Sequence, residues 1–161
     1  MVEIHKTVAK VLETHKDELE IFECLDEFSD TQNFSEHYGF DIEDACNAIL
    51  IKSKKPQEFF AMFCVLGSSR LDVNHKAKAA IESKKVSFAS KEEAEDITLQ
   101  TYGGISPLGL PKEIKIFVDE KVLNREKVFI GAGNRVSKFF LSPETLTVSY
   151  THLTLPTICS V

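Results

Sequence analysis

A chain of 161 residues, 43% hydrophobic and 27% charged, is long enough for one domain with a buried core and has an ordinary globular composition. The formal net charge of −6 argues against a general nucleic-acid binder, and no apolar run approaches the roughly 20 residues a membrane helix needs. Residues 1–10 carry charges and a His but no apolar signal-peptide core, so a cytoplasmic protein is expected.

In chain order, Ile4, Val8, Val11 and Leu12 fall at helical spacing and predict an amphipathic helix over 2–15. Residues 19–25 read as a strand through Leu19, Ile21 and Phe22. Asp30 or Thr31 caps a short helix ending at Tyr38 and closed by Gly39, and 41–45 form a second, acidic turn. The apolar runs 48–51 and 59–66, separated by Lys54-Lys55-Pro56, read as neighbouring buried strands. Helical spacing returns at Val73, Ala77 and Ala80, predicting a helix over 71–81, followed by a short strand at 86–89. Ser90 with Glu93 forms a capping box for a helix to about Leu99.

A glycine-rich loop, residues 101–109, comes next, then strands at 114–118, 127–130 and 137–141. Gly131-Ala132-Gly133 reads as a tight turn between the last two strands, and Pro143 after Ser142 opens a terminal helix. Hairpin-linked strands with interspersed helices predict an α+β fold with a mixed, mostly antiparallel sheet and flanking helices. Residues 148–161, a run rich in Thr, Leu and Pro, share neither the charge nor the periodicity of the rest. They read as translated vector sequence, leaving residues 1–146 as the domain.

Charge is unevenly distributed. Residues 1–51 hold 3 lysines against 13 carboxylates, whereas residues 52–85 hold 8 Lys or Arg against 3 carboxylates. A basic stretch on an acidic body can meet a phosphate backbone on one face, or can be a set of solvated lysines. Cys24, Cys46, Cys64 and Cys159 show no metal-ligand spacing, and the five histidines are scattered, so structural thiols and no metal are expected.

The loop Gly103-Gly104-Ile105-Ser106-Pro107-Leu108-Gly109 is the sharpest chemical feature. Adjacent glycines let a ligand approach the main chain and leave N–H donors uncovered, and Pro107 stiffens the bend. Such preorganised donors suit an oxyanion hole for ester hydrolysis; a tight turn between helix and strand is the plainer alternative.

This segment resembles the G-G-x-x-P loop of the prolyl-tRNA editing, or YbaK/ProX-type, aminoacyl-tRNA deacylases. The resemblance extends in order to Asp30-Thr31, Tyr38-Gly39-Phe40, Ala45-Cys46-Asn47, Arg70-Leu71-Asp72-Val73-Asn74 and Gly131-Ala132-Gly133-Asn134-Arg135. It implies the YbaK/aminoacyl-tRNA synthetase-associated domain fold, with a barrel-like mixed sheet. It also implies hydrolysis of mischarged aminoacyl-tRNA, no metal or organic cofactor, and partners limited to aminoacyl-tRNA and an aminoacyl-tRNA synthetase.

By that resemblance Gly103 and Gly104 polarise the ester carbonyl and Asn47 stands where the family has a lysine. Thr31, Tyr38, Arg70, Ile105, Ser106, Pro107, Gly131, Asn134 and Arg135 become the substrate-binding set. Asparagine donates hydrogen bonds but brings no charge, and a charge-assisted bond is about twice as strong as a neutral one. Gly131 and Lys138 also depart from relatives of the cysteine-clearing type, which tend to have Ser and Asp there. Lys52, five residues beyond Asn47 on a strand, is expected on the opposite face.

From the residues alone, Asn47 is either a substrate-facing donor or a strand-end Asn bonding its own loop. Asn134 and Arg135 either meet substrate or form an exposed hairpin tip. Ser68 and Ser69 beside Arg70 read as helix-capping residues, and Tyr38 as packing the short helix against the sheet. Two functions are expected: a trans-editing deacylase, or a non-catalytic module of the same fold that binds tRNA or a synthetase.

Overall fold

The structure, a computed structural model, describes residues 5–111 and 113–148. Among the described residues, seven strands form two sheets. β1 (Glu20–Glu23), β6 (Val128–Gly131) and β7 (Ser137–Leu141) make an antiparallel sheet in the order β1-β7-β6. β2 (Cys46–Lys55), β3 (Phe59–Leu66), β4 (Lys85–Phe88) and β5 (Lys115–Val118) make the second, in the order β4-β2-β3-β5, with only the β3–β5 pair parallel. A parallel bridge between Ala45 and Phe129 joins the sheets, and the described strands do not close into a barrel.

The long β2–β3 hairpin organises the core because both its faces are covered. Leu50, Met62 and Cys64 pack on one side with Val8 of helix α1 (Lys6–His15), Ile116, Ile130 and Phe139. Ile51, Phe63 and Val65 pack on the other with Ala77 and Ile81. Burial on two faces is why these strands read as unbroken apolar runs instead of alternating ones.

Local signals placed three further helices well. α2 (Thr31–Tyr38) is capped by Asp30, which accepts from the Asn33 N–H, and ends at Gly39 with φ +75. α4 (Lys91–Thr98) opens on the reciprocal Ser90–Glu93 capping box. α6 (Pro143–Val148) starts one residue after Ser142, whose hydroxyl accepts from the Thr145 N–H. The acidic turn at Ile42–Asp44 is a 3-10 turn.

The segment expected as one helix over 71–81 is instead a wide turn, Val73–Ala77, running into the short α3 (Lys78–Ala80). The Ala77 N–H reaches back to the Asp72 carbonyl at 2.9 Å, a five-residue span that widens the first turn. α5 (Glu120–Leu123) has no counterpart in the sequence reading, since four residues are too few to show a period. The run read as vector sequence falls outside the described residues from 149 onward; Val148 closes α6.

Candidate active site

A hollow of about 320 Å³ opens where β2 loses one neighbour. β3 pairs with β2 from Cys46 to Ser53, but β4 joins only at Ile51, so residues 46–49 have one edge clear of strand. The loop after α4 closes over that edge, the start of α2 forms another wall, and β6 and β7 contribute Gly131 and Lys138.

Of the residues expected at the site, Asn47, Thr31, Gly103, Gly104, Ile105 and Gly131 line this hollow. Thr31 donates its hydroxyl hydrogen to Asn47 Oδ1 at 2.7 Å, so the asparagine bonds neither its own loop nor bulk water alone. That bond turns the Asn47 amide nitrogen into a donor with no partner among the described residues. Thr31 is the first residue of α2 and Asn47 the second of β2, so the bond ties the start of the helix to the start of the strand.

The glycine loop corrects one expectation. The Gly104 N–H is tied to the Thr101 carbonyl at 3.0 Å, and the Gly104 carbonyl accepts from the Gly133 N–H at 2.8 Å. Gly104 is also pressed against protein: an added Cβ would lie 1.8 Å from the Asn134 carbonyl oxygen. Its missing side chain therefore lets the loop seat on the 131–135 turn, not a ligand on the loop. The uncommitted donors here are the Gly103 and Ile105 N–H groups, which make no hydrogen bond among the described residues.

The other expected residues support the hollow from outside it. Ser106 is fully buried, its N–H bound to Gln100 Oε1 at 2.6 Å and its hydroxyl accepting from the Leu108 N–H. Pro107 is buried beside it. Asn134 accepts through its side chain from the Val136 N–H and the Ser137 hydroxyl, which shapes the turn. Arg135 lies next to Gly103 and is anchored to Asp26 at 3.0 Å. Tyr38 accepts from the Leu25 N–H at 3.0 Å and stacks edge-on against Phe22, inside an aromatic cluster. Arg70 is exposed and lies outside the lining.

Sequence reasoning did not assign Ser29, Ala48, Ile49, Tyr102 or Lys138 to the site, yet all line it. Lys138 is 6% exposed and donates from Nζ to the Ser29 carbonyl at 2.6 Å. Burial pushes its pKa below the usual lysine value, with Arg135 adding to that and Cys24 and Asp30 opposing it. The signal that could have revealed it is a lone cation inside the apolar run of β7. Cys46 lines the hollow too, but its hydrogen bond with Cys64 and its burial push the thiol pKa well up, so it stays protonated and inert.

Lys52 sits on the far face, as alternation requires, bonded to Glu93 at 2.6 Å and to Glu58 at 3.2 Å. The Lys52 bond and the Ser90 N–H hold the Glu93 carboxyl down at about 2, against an ordinary value of 4.5. A carboxyl depressed by folding stabilises above its unfolded value and loses that contribution as pH falls through the folded one. Melting temperature is therefore expected to drop between about pH 4.5 and about pH 2, and the Lys52→Met variant to show a shallower drop in that window, read by thermal scans. Identical slopes for the two proteins would refute the assignment.

Among the described residues no helix is long and apolar enough to cross a membrane, and no group of three His, Cys, Asp or Glu could hold a metal. What the fold defines is a two-sheet α+β domain with a hollow lined in part by a glycine-rich loop. The chain belongs to the aminoacyl-tRNA editing domain family, whose profile matches residues 26–147. It is 30% identical over 80 residues to a candidate Cys-tRNA(Pro)/Cys-tRNA(Cys) deacylase, EbsC, of Enterococcus faecalis, a match covering 50% of this chain and 48% of that protein. The chain thus aligns with about half the length of this curated relative.

Among solved structures, a candidate trans-editing enzyme for prolyl tRNA synthetase superposes with a TM-score of 0.80 at 18% identity, covering 99% of this chain and 100% of the other. A hypothetical protein superposes with a TM-score of 0.84 at 19% identity, covering 96% and 100%. At such identities these likenesses establish the fold.

Proposed function

We propose that this protein hydrolyses the ester joining an amino acid to the 3′ end of a mischarged tRNA. The carrying observation is the hollow under the glycine loop, lined by Asn47, whose Oδ1 is held by the Thr31 hydroxyl. Residues 1–146 form the editing domain, which acts in the cytoplasm either free or beside a synthetase. The acylated terminal ribose enters the hollow, and the ester carbonyl lies against the Gly103 and Ile105 N–H groups and the Asn47 amide.

Water attacks the carbonyl carbon, the C–O bond to the ribose breaks, and the oxygen left on the ribose takes up a proton. The products are a free amino acid and uncharged tRNA. Stabilising the developing oxyanion with preorganised donors is the main contribution of the protein. Tyr102, 50% exposed at the rim, offers a face on which the terminal base can stack, an interaction worth roughly 1–3 kcal/mol. Lys54 and Lys55, at the far end of β2 and roughly 23 Å along the strand from Asn47, suit phosphates of the tRNA body. Lys52, committed to two carboxylates, does not.

A non-catalytic reading, in which the hollow only binds an aminoacyl end, draws on the neutral Asn47. A panel of aminoacyl-tRNAs separates the two. Wild type is expected to deacylate at least one member faster than buffer, and Asn47→Ala to slow that reaction about tenfold, the worth of one good hydrogen bond to a charged group. Wild-type rates equal to buffer across the panel would leave the binding module. Binding is expected to weaken steeply as salt rises, because phosphate contacts release counterions.

A further inference from the structure

We infer that Lys138 supplies the positive charge of this hollow and grips a substrate oxygen that carries or develops negative charge, with the Asn47 amide beside it. The inference deepens the deacylase reading and depends on it for the identity of the ligand.

Lys138 is the one cation among the lining residues, and it is nearly sealed from solvent. Among the described residues no carboxylate forms an ion pair with it; Asp30, which lines the same hollow, acts on it only at longer range. Its one hydrogen-bond acceptor there is the Ser29 carbonyl, which leaves two of three ammonium hydrogens unused. A buried ammonium without a counter-charge is unfavourable, so such groups are normally paired or placed to meet a ligand.

The surroundings favour the second case. The ring of Phe34, 5.4 Å from Nζ, covers one side and restricts where the ammonium can turn. The Ser29 hydroxyl, 1% exposed as a residue and also lining the hollow, has no partner among the described residues. Lys138 and Asn47 are both fastened to one short wall, the first to Ser29 and the second to Thr31. That wall is the start of α2, whose first turn is capped by the Asp30 carboxylate. An ammonium, an amide N–H pair and an unpartnered hydroxyl therefore converge on one region, and together they match an oxygen-rich anion or an oxyanion.

Two substrate oxygens fit that chemistry: the ester carbonyl as it becomes tetrahedral, and a phosphate of the tRNA end. Single-turnover deacylation by wild type and Lys138→Met, with melting curves to verify the fold, tells them apart. If the carbonyl is gripped, the rate constant at saturating protein falls about 10- to 100-fold and the half-saturating concentration stays within about threefold. If a phosphate is gripped, the half-saturating concentration rises by that factor and the rate constant holds. Both parameters within about threefold of wild type, in a folded variant, would overturn the inference.

A second measurement needs neither a folded variant nor turnover. The Lys138 side-chain resonance of the wild-type protein is followed by NMR during titration with 3′-amide-linked alanyl, prolyl and cysteinyl adenosine, each with and without a 5′-phosphate. Movement with either form supports the grip and identifies the oxygen; a resonance unmoved by every analogue overturns it. A wild type that deacylates nothing, yet shifts this resonance, sinks the hydrolase and keeps the oxygen site.

Discussion

Adding one methyl group at Gly104 is expected to lower stability by about 3 kcal/mol, at the upper end of ordinary overpacking. The new Cβ would stand 1.8 Å from the Asn134 carbonyl oxygen and 2.4 Å from its carbon, so two backbone segments must separate. Separation would also break the Gly133 N–H bond to the Gly104 carbonyl and the Thr101 N–H bond to the Gly133 carbonyl. At neighbouring Gly103 the same methyl meets the end of the Arg135 side chain at 2.3 Å, which can swing aside. There the φ of +90 is the main obstacle, worth about 1 kcal/mol for an L residue. Urea midpoints of wild type, Gly103→Ala and Gly104→Ala decide the point, and equal losses at the two sites would refute the packing account. Loss of activity at Gly104 alone would then report on the seating of the loop, not on a lost donor, because that N–H is already committed to Thr101.

Truncating Phe34 to alanine is expected to remove about 3–5 kcal/mol, the usual loss for a buried ring. Phe34 is fully buried, with ring centroids of Phe129 and Tyr38 at 5.1 Å, Phe40 at 5.4 Å and Phe22 at 5.5 Å. It also anchors the inner face of α2, whose first residue orients Asn47, and it carries the Lys138 ammonium over its ring. Deacylation is accordingly expected to fall even at temperatures where the variant stays folded, with Phe34→Leu intermediate in both respects. Equilibrium denaturation alongside the aminoacyl-tRNA assay checks this. A variant that loses stability but keeps full wild-type activity would show that the wall is held by other contacts.

Much of the architecture was readable before any coordinates, for a reason visible in particular residues. Asp30 and Gly39 bracket α2, and Ser90 with Glu93 opens α4, because capping bonds span only a few residues of chain. The β2 and β3 strands showed through as apolar runs because both faces are covered. The wide turn at Val73–Ala77 was not legible, since its apolar spacing equals that of a regular helix and only the Ala77–Asp72 bond distinguishes them.

The site was legible in part. Asn47 and the glycine loop stood out as a polar side chain at the head of an apolar strand and as a bend that needs glycine. Tyr38 read from its surroundings as a packing residue, with the resemblance alone implying a ligand contact, and its ring lies among Phe22, Phe28 and Phe34. Lys138 showed only as a lone cation in the apolar run of β7, because strand alternation fixes which side a residue faces but not what lies there.

By itself, then, the sequence determined the type and order of most elements, their caps, the buried hairpin and the family resemblance. All of these depend on contacts within a few residues or on patterns along one strand. Only the tertiary structure decided that Ser29, Asn47, Gly103 and Lys138 share one hollow, and that Gly104 answers to Asn134. Those neighbours come from separate stretches of chain, and which distant surfaces meet is set by the packing of the two sheets and α2, a property no local stretch encodes.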